Sequence, residues 1–186
     1  MNYLKHLTLA LVIIFGFSAM AFCEEKPPES KPRIEIVGRV NKPVTLTLEQ
    51  LQKMDQVAEK EFVEFGSHHG YIGAYSIKGV SFRKIIDEVC EGLSTGKTDS
   101  IVFVFVSADG YNAVFSYGEI YDNYSQGSGI LIGTEMNGEP LDVARYGHFR
   151  SFVTTDKYAG RAVKWLQKIV VKFALDDPDY ESQGAD

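Results

Sequence analysis

The chain has 186 residues, with 19 Lys and Arg against 25 Asp and Glu and a formal net charge of −6. This acidic balance, without a sustained basic stripe, excludes nucleic acid and anionic membrane surfaces as bulk partners. Apolar residues make up 45% and charged residues 24%, which is globular composition on a length that suits one domain of ~100–200 residues. The only cysteines, Cys23 and Cys90, supply neither a disulfide framework nor zinc-type spacing.

The first 21 residues have the layout of a secretory signal peptide: Lys5 near the start, an apolar run from Leu7 to Phe17, and Ala19-Met20-Ala21 as the cleavage signal. The apolar run is short for the ~20 residues of a spanning helix, so cleavage after Ala21 is expected. Phe22 is a poor residue to precede a lipidated cysteine, which argues against an anchor on Cys23. Removing the leader takes away only Lys5, so the mature charge is −6 − 1 = −7. The expected location is periplasmic or secreted, with no membrane contact after cleavage. Residues 22–33 read as a disordered, proline-rich linker, 34–175 as the folded domain, and 176–186 as a disordered acidic tail.

Within the domain, RIEIVGRV (Arg33–Val40) and VTLTL (Val44–Leu48) alternate as strands, and Thr47 with Gln50 forms a capping box for a helix through about Met54. Glu59 to Phe65 alternates again, with Phe62 sharing a face with Glu64 and Val63 with Phe65, so either face could be the inner one. Gly66 to Gly73 reads as a loop carrying Ser67, His68 and His69. Ser81 caps a predicted helix through Glu91, whose apolar stripe is Phe82, Ile85, Ile86 and Val89, with Cys90 as a buried small residue. IVFVFVS (Ile101–Ser107) is a continuous apolar run, expected at the centre of the sheet and buried on both faces. Ala108-Asp109-Gly110 turns it into NAVFS, Ser116 and Glu119 cap another short helix, and Asn123 to Gly129 leads as a loop into ILIGTEM. Asn137-Gly138 predicts a type I′ hairpin. Interleaved strands and short helices with hairpins in the majority describe an α+β domain on a mixed, mostly antiparallel sheet.

The strand predicted over His148–Thr154 places His148 as a core histidine, and Asp156 then serves as a helix N-cap. Lys157, Arg161 and Lys164 follow at spacings of four and three, which would put three cations on one helical face. Such a face, with free N–H groups at a helix start, could hold an anionic ligand; it could equally be a solvated basic surface. His68 and His69 could hydrogen-bond a ligand, but adjacent residues of an extended segment point to opposite sides. The bland alternative leaves one in solvent and packs the other against Tyr71. No metal ligand set is identifiable, and Asp109 reads as a turn residue.

Three segments occur in a telling order: KGVSFRKII (Lys78–Ile86), SADGYNAVFS (Ser107–Ser116), and EMNGEPL followed by a strand and KYAGRAVKWLQKIVV. Together they resemble the molybdopterin-binding domain of sulfite oxidases and related periplasmic reductases. The resemblance implies a sulfite-oxidase-like molybdopterin-domain fold, a molybdopterin-type cofactor, a periplasmic redox partner, and cofactor contacts from Lys157, Tyr158, Arg161, Lys164, Ser67, His68 and His69.

Family members that oxidise sulfite or reduce sulfoxides hold molybdenum through a cysteine thiolate. Here an ungapped count from Gly79 puts that slot at or beside Ser67, and a serine hydroxyl is a harder, far less acidic donor. The family's arginine before KYG falls at Ser151, one residue from Arg150, and Ala159 replaces the glycine of KYG. Two functions compete on these residues: an exported oxidoreductase-type domain binding a molybdopterin-like anionic cofactor, and a non-catalytic ligand- or partner-binding module that retains the fold. A protein using exposed tyrosines for partner contacts is a third.

Overall fold

The computed structural model describes residues 31–122 and 129–175, with backbone only at 58–60. The leader, Cys23, most of the linker, the 123–128 loop and the acidic tail lie outside the described residues. Among the described residues ten strands form two sheets. The first holds β1 (Arg33–Gly38), β2 (Val44–Thr47), β5 (Ile101–Ser107), β6 (Asn112–Ser116) and β10 (Leu166–Phe173), in the order β2-β1-β10-β5-β6. Its neighbours are antiparallel except β1 and β10, which run parallel. The second holds β3 (Val57–Gly66), β4 (Gly70–Ser81), β7 (Ile130–Met136) and β8 (Glu139–Pro140) in that order, with β9 (Arg150–Val153) also paired to β7, all antiparallel. This is the α+β, mostly antiparallel architecture expected.

Both predicted capping boxes form. Thr47 and Gln50 exchange hydrogen bonds at the start of α1 (Leu48–Lys53), and Ser116 and Glu119 do so at α3 (Tyr117–Tyr121). Asn137 and Gly138 both adopt positive φ (56° and 79°), as a type I′ turn requires, and Asn137 also exchanges bonds with the Ser76 backbone. The helix expected from Ser81 is a single turn, α2 (Phe82–Lys84), running into a π-helical turn over Ile85–Val89. Its stripe is nonetheless the inner one: Phe82, Ile85 and Ile86 are fully buried and Val89 is half-buried against the same core, with Cys90 buried beside them.

Side chains from one face of the first sheet, including Ile34, Ile36, Phe103, Phe105, Phe115, Ile169 and Val171, pack on Val80, Ile130, Ile132 and Val153 of the second. β5 is central, but its alternation shows a single buried face: Ile101, Phe103, Phe105 and Ser107 are inside, while Val102, Val104 and Val106 are half-buried. The expectation of burial on both faces fails: among the described residues the outer-face side chains Val102, Val104 and Val106 stay half-buried. The second sheet carries a smaller core on its far face, made by Phe62, Ile77, Leu131, Phe152, Leu141 and Tyr146, the last from α4 (Val143–Tyr146). That resolves the β3 ambiguity: Phe62 and Glu64 point in, Val63 and Phe65 point out. Among the described residues no helix is long and apolar enough to cross a membrane.

Candidate functional site

The segment from Asp156 to Trp165 departs furthest from its sequence reading. It is irregular, with bends at Lys157–Tyr158 and Lys164–Trp165 and one 3-10 turn at Ala159–Arg161, and Asp156 caps no helix. Without helical periodicity the four- and three-residue spacings lose their meaning, and the three cations part company. Lys157 lies over the ring of Tyr158 (5.2 Å) and has no ion-pair partner among the described residues. Lys164 sits 5.4 Å from the Tyr146 ring, on the side of the smaller core. Burial, and then the Arg150 and Arg145 guanidiniums, hold its ammonium below the usual lysine range against the pull of Glu64.

Arg161 is consumed internally. Its Nε and Nη2 donate to the two Asp156 oxygens (2.8 and 2.6 Å), its Nη1 donates to Glu119 (2.6 Å), and its guanidinium lies 4.7 Å from the Phe115 ring. A fork so fully matched to carboxylates has little left for a ligand phosphate. Burial works to raise the Glu119 carboxyl, but the Ser116 backbone N–H and Arg161 prevail and hold it below its ordinary value. Native contacts that depress a carboxylate add stability above its unfolded pKa of ~4.3, and that stability is lost as pH falls through the lower, folded value. We therefore expect Glu119→Gln to flatten the acid limb of a Tm-against-pH curve. Superimposable curves would remove this latch from the account.

Two concave surfaces flank the segment. The larger, about 640 Å³, lies between the β3–β4 hairpin and Thr154–Tyr158, with Val63, Phe65, Ser67 and His68 on one wall and Asp156, Lys157 and Tyr158 on the other. Its size falls in the ~300–1,000 Å³ range of small-molecule sites. The smaller, about 250 Å³, lies between the β5–β6 turn and Ala159–Trp165, and is lined by Ser107, Asp109, Tyr111, Lys164 and Trp165. Of the residues singled out in sequence, Ser67, His68, Lys157 and Tyr158 thus share a cavity, Lys164 faces another, and Arg161 faces neither.

The loop expected over Gly66–Gly73 is a three-residue turn, since β3 runs to Gly66 and β4 starts at Gly70. His69 does not line the cavity, and Tyr71 packs edge-on against Phe65 (5.8 Å) rather than on a histidine. His148 is exposed in the bend before β9, not a core histidine. Asp109 does serve its turn, accepting from the Tyr111 N–H (2.9 Å).

Sequence reasoning missed one buried feature. Arg150, with no exposed surface, donates through Nη2 to Glu64 (2.6 Å), and its guanidinium lies near the rings of Tyr146 (4.8 Å) and Phe152 (4.9 Å). Its signal was a charged residue at an inward position in each of two apolar alternations, EFVEF and FRSFV.

The fold and the larger cavity define an α+β domain of the sulfite-oxidase molybdopterin-domain type. The chain belongs to the oxidoreductase molybdopterin binding domain family, whose profile matches residues 24–177. Among solved structures, the sulfane dehydrogenase SoxCD from Paracoccus pantotrophus matches over 77% of this chain at 18% identity, with a TM-score of 0.58. This chain spans 39% of the length of that SoxCD chain, and the likeness is one of fold alone. No curated protein matches the sequence.

The donor set can be tested against the family's cofactor. Among the described residues no group of three or more His, Cys, Asp and Glu could hold a metal ion. Ser67 is exposed at the tip of the β3–β4 turn. Cys90 is buried in the larger core, where desolvation pushes its thiol up to about 11. These residues do not fit a metal held by a thiolate. The cavity's aromatic wall and its ammonium, unpaired among the described residues, do fit the organic, anionic part of such a cofactor.

Proposed function

We propose that this protein is an exported binding domain that takes a pterin-type, ring-bearing anion in the larger cavity and holds no thiolate-bound metal. The reading rests on Lys157, an ammonium without an ionic partner among the described residues, which lines a cavity of about 640 Å³ together with Ser67 and His68. The anionic group would sit at Lys157, and the ring would lie against Tyr158, Phe65 and Val63. Of the two lining carboxylates, Asp156 is neutralised by Arg161, while Glu61 leaves one negative charge on the lining. That favours a ligand with one anionic group over one with several. The signal-peptide layout supports export to the periplasm or beyond.

A fluorescent pterin carrying one phosphate monoester, titrated into the protein, tests the reading. A charge-assisted contact is worth ~1.5–3 kcal/mol, so Lys157→Ala should weaken binding roughly ten- to hundredfold. Lys164→Ala, facing the other cleft, should leave affinity unchanged. Equal affinity in wild type and Lys157→Ala would end the proposal. Family membership favours the competing oxidoreductase reading; stoichiometric molybdenum or tungsten in protein purified from a cofactor-making host would establish it instead.

A further inference from the structure

The walls of the larger cavity come from parts of the chain far apart in sequence. One wall is β3, an edge strand paired only to β4. The other is Thr154–Tyr158, which follows β9 in the chain through a turn at Thr154–Thr155. Between β3 and β9 lie β4 and β7, so the walls are separated by two intervening strands of the same sheet.

The Glu64–Arg150 pair spans that separation on the sheet's far face, joining β3 directly to β9. The sequence clears a path for it. Gly133, directly across from Arg150, leaves the space that the Phe152 ring fills, where any Cβ would overlap the ring. The Arg150 guanidinium lies 4.9 Å from the centre of that ring, with Nη1 3.8 Å from the Met136 sulfur. Glu64 is itself placed across from Gly73 on β4.

We infer that Glu64 and Arg150 are positioning residues that set the spacing between the two walls of the ligand cavity, by tying the β3–β4 ribbon to the strand that feeds Lys157 and Tyr158. The physical reason is directionality. Apolar contacts such as Phe62 on Phe152 (ring centroids 5.4 Å) tolerate sliding. A buried carboxylate with one short guanidinium bond does not, since every displaced geometry leaves a charge uncompensated. The effect on the walls stands on these contacts alone; the effect on ligand affinity rests on the function proposed above.

The test separates the two. Nitroxide labels at His69→Cys and Thr155→Cys, both exposed, report the distance across the cavity in a Cys23→Ser background, where buried Cys90 is beyond a label's reach. In Glu64→Leu/Arg150→Met, an apolar replacement of similar bulk, the protein should fold cooperatively. Its label-to-label distribution should be about twofold broader, and affinity for the phosphorylated pterin should fall by roughly tenfold. An unchanged distribution in the folded double variant overturns the inference. A broadened distribution with no pterin binding even in the wild type keeps the positioning pair and rejects the ligand. Glu64→Gln, which keeps shape and loses charge, gives a second reading should the double variant fail to fold: broadening supports the pair, and a wild-type distribution refutes it.

Discussion

Glu64→Ala is expected to destabilise the domain by ~3–5 kcal/mol, a large part of the ~5–15 kcal/mol by which folded domains are stable. The magnitude comes from what is left behind. Arg150 has no exposed surface, and among the described residues its Nε already lacks a hydrogen-bond partner and its one carboxylate is Glu64. Truncation strands a cation between Tyr146 and Phe152, where cation–π attraction of ~0.5–2 kcal/mol offsets only part of the cost. The double replacement by Leu and Met should lie within ~1 kcal/mol of wild type, because it removes the charge and the desolvation penalty together. Urea melts decide the matter, with midpoints shifting at constant slope. If Glu64→Ala melted within ~1 kcal/mol of wild type, water would be reaching Arg150 and the pair would not be desolvated.

The legible parts of this protein are those in which one local rule acts alone. Asn137-Gly138 and the Thr47 and Ser116 caps are decided within four residues, and each formed as read. The inner face of β3 was not legible, because FVEF alternates phenylalanine on both faces and only contact with Phe152 and Tyr146 selects Phe62. The basic trio failed for a related reason. Spacings of four and three imply a common face only if the segment is helical, and Arg161 instead turns back to Asp156 five residues away and reaches Glu119 across the fold. In an acidic chain a lone arginine finds carboxylates readily, so a cation's availability to ligand cannot be read from its own neighbours. Lys157 escaped that fate, and with Ser67, His68 and Tyr158 it forms the part of the site that sequence order had pointed to. Arg150 and Glu64 were invisible as a pair because 86 residues and two intervening strands lie between them.

Phe82→Ala should cost ~3–5 kcal/mol, the usual loss for a fully buried aromatic ring. The ring has no exposed surface and stands edge-on to both Phe103 (5.3 Å) and Phe105 (4.8 Å), while Phe105 in turn meets Phe115 (4.8 Å), over which Arg161 lies. Phe82→Leu, which keeps most of the volume, should cost under ~1.5 kcal/mol. This loss differs in kind from that of Glu64. It opens a cavity between the two sheets, whereas the cavity walls are tied on the far face of the second sheet. Pterin affinity of the folded Phe82→Ala protein should therefore stay near wild type although its stability is as low as that of Glu64→Ala, whose affinity falls. Trp165, the single tryptophan, borders the segment between the two clefts and reports on it locally. In Phe82→Ala its fluorescence should be lost together with far-UV circular dichroism, as two-state unfolding requires. An earlier Trp165 transition would mean that the aromatic chain from Phe82 to Phe115 also holds the site segment through Arg161, and that stability and site geometry are not separable here.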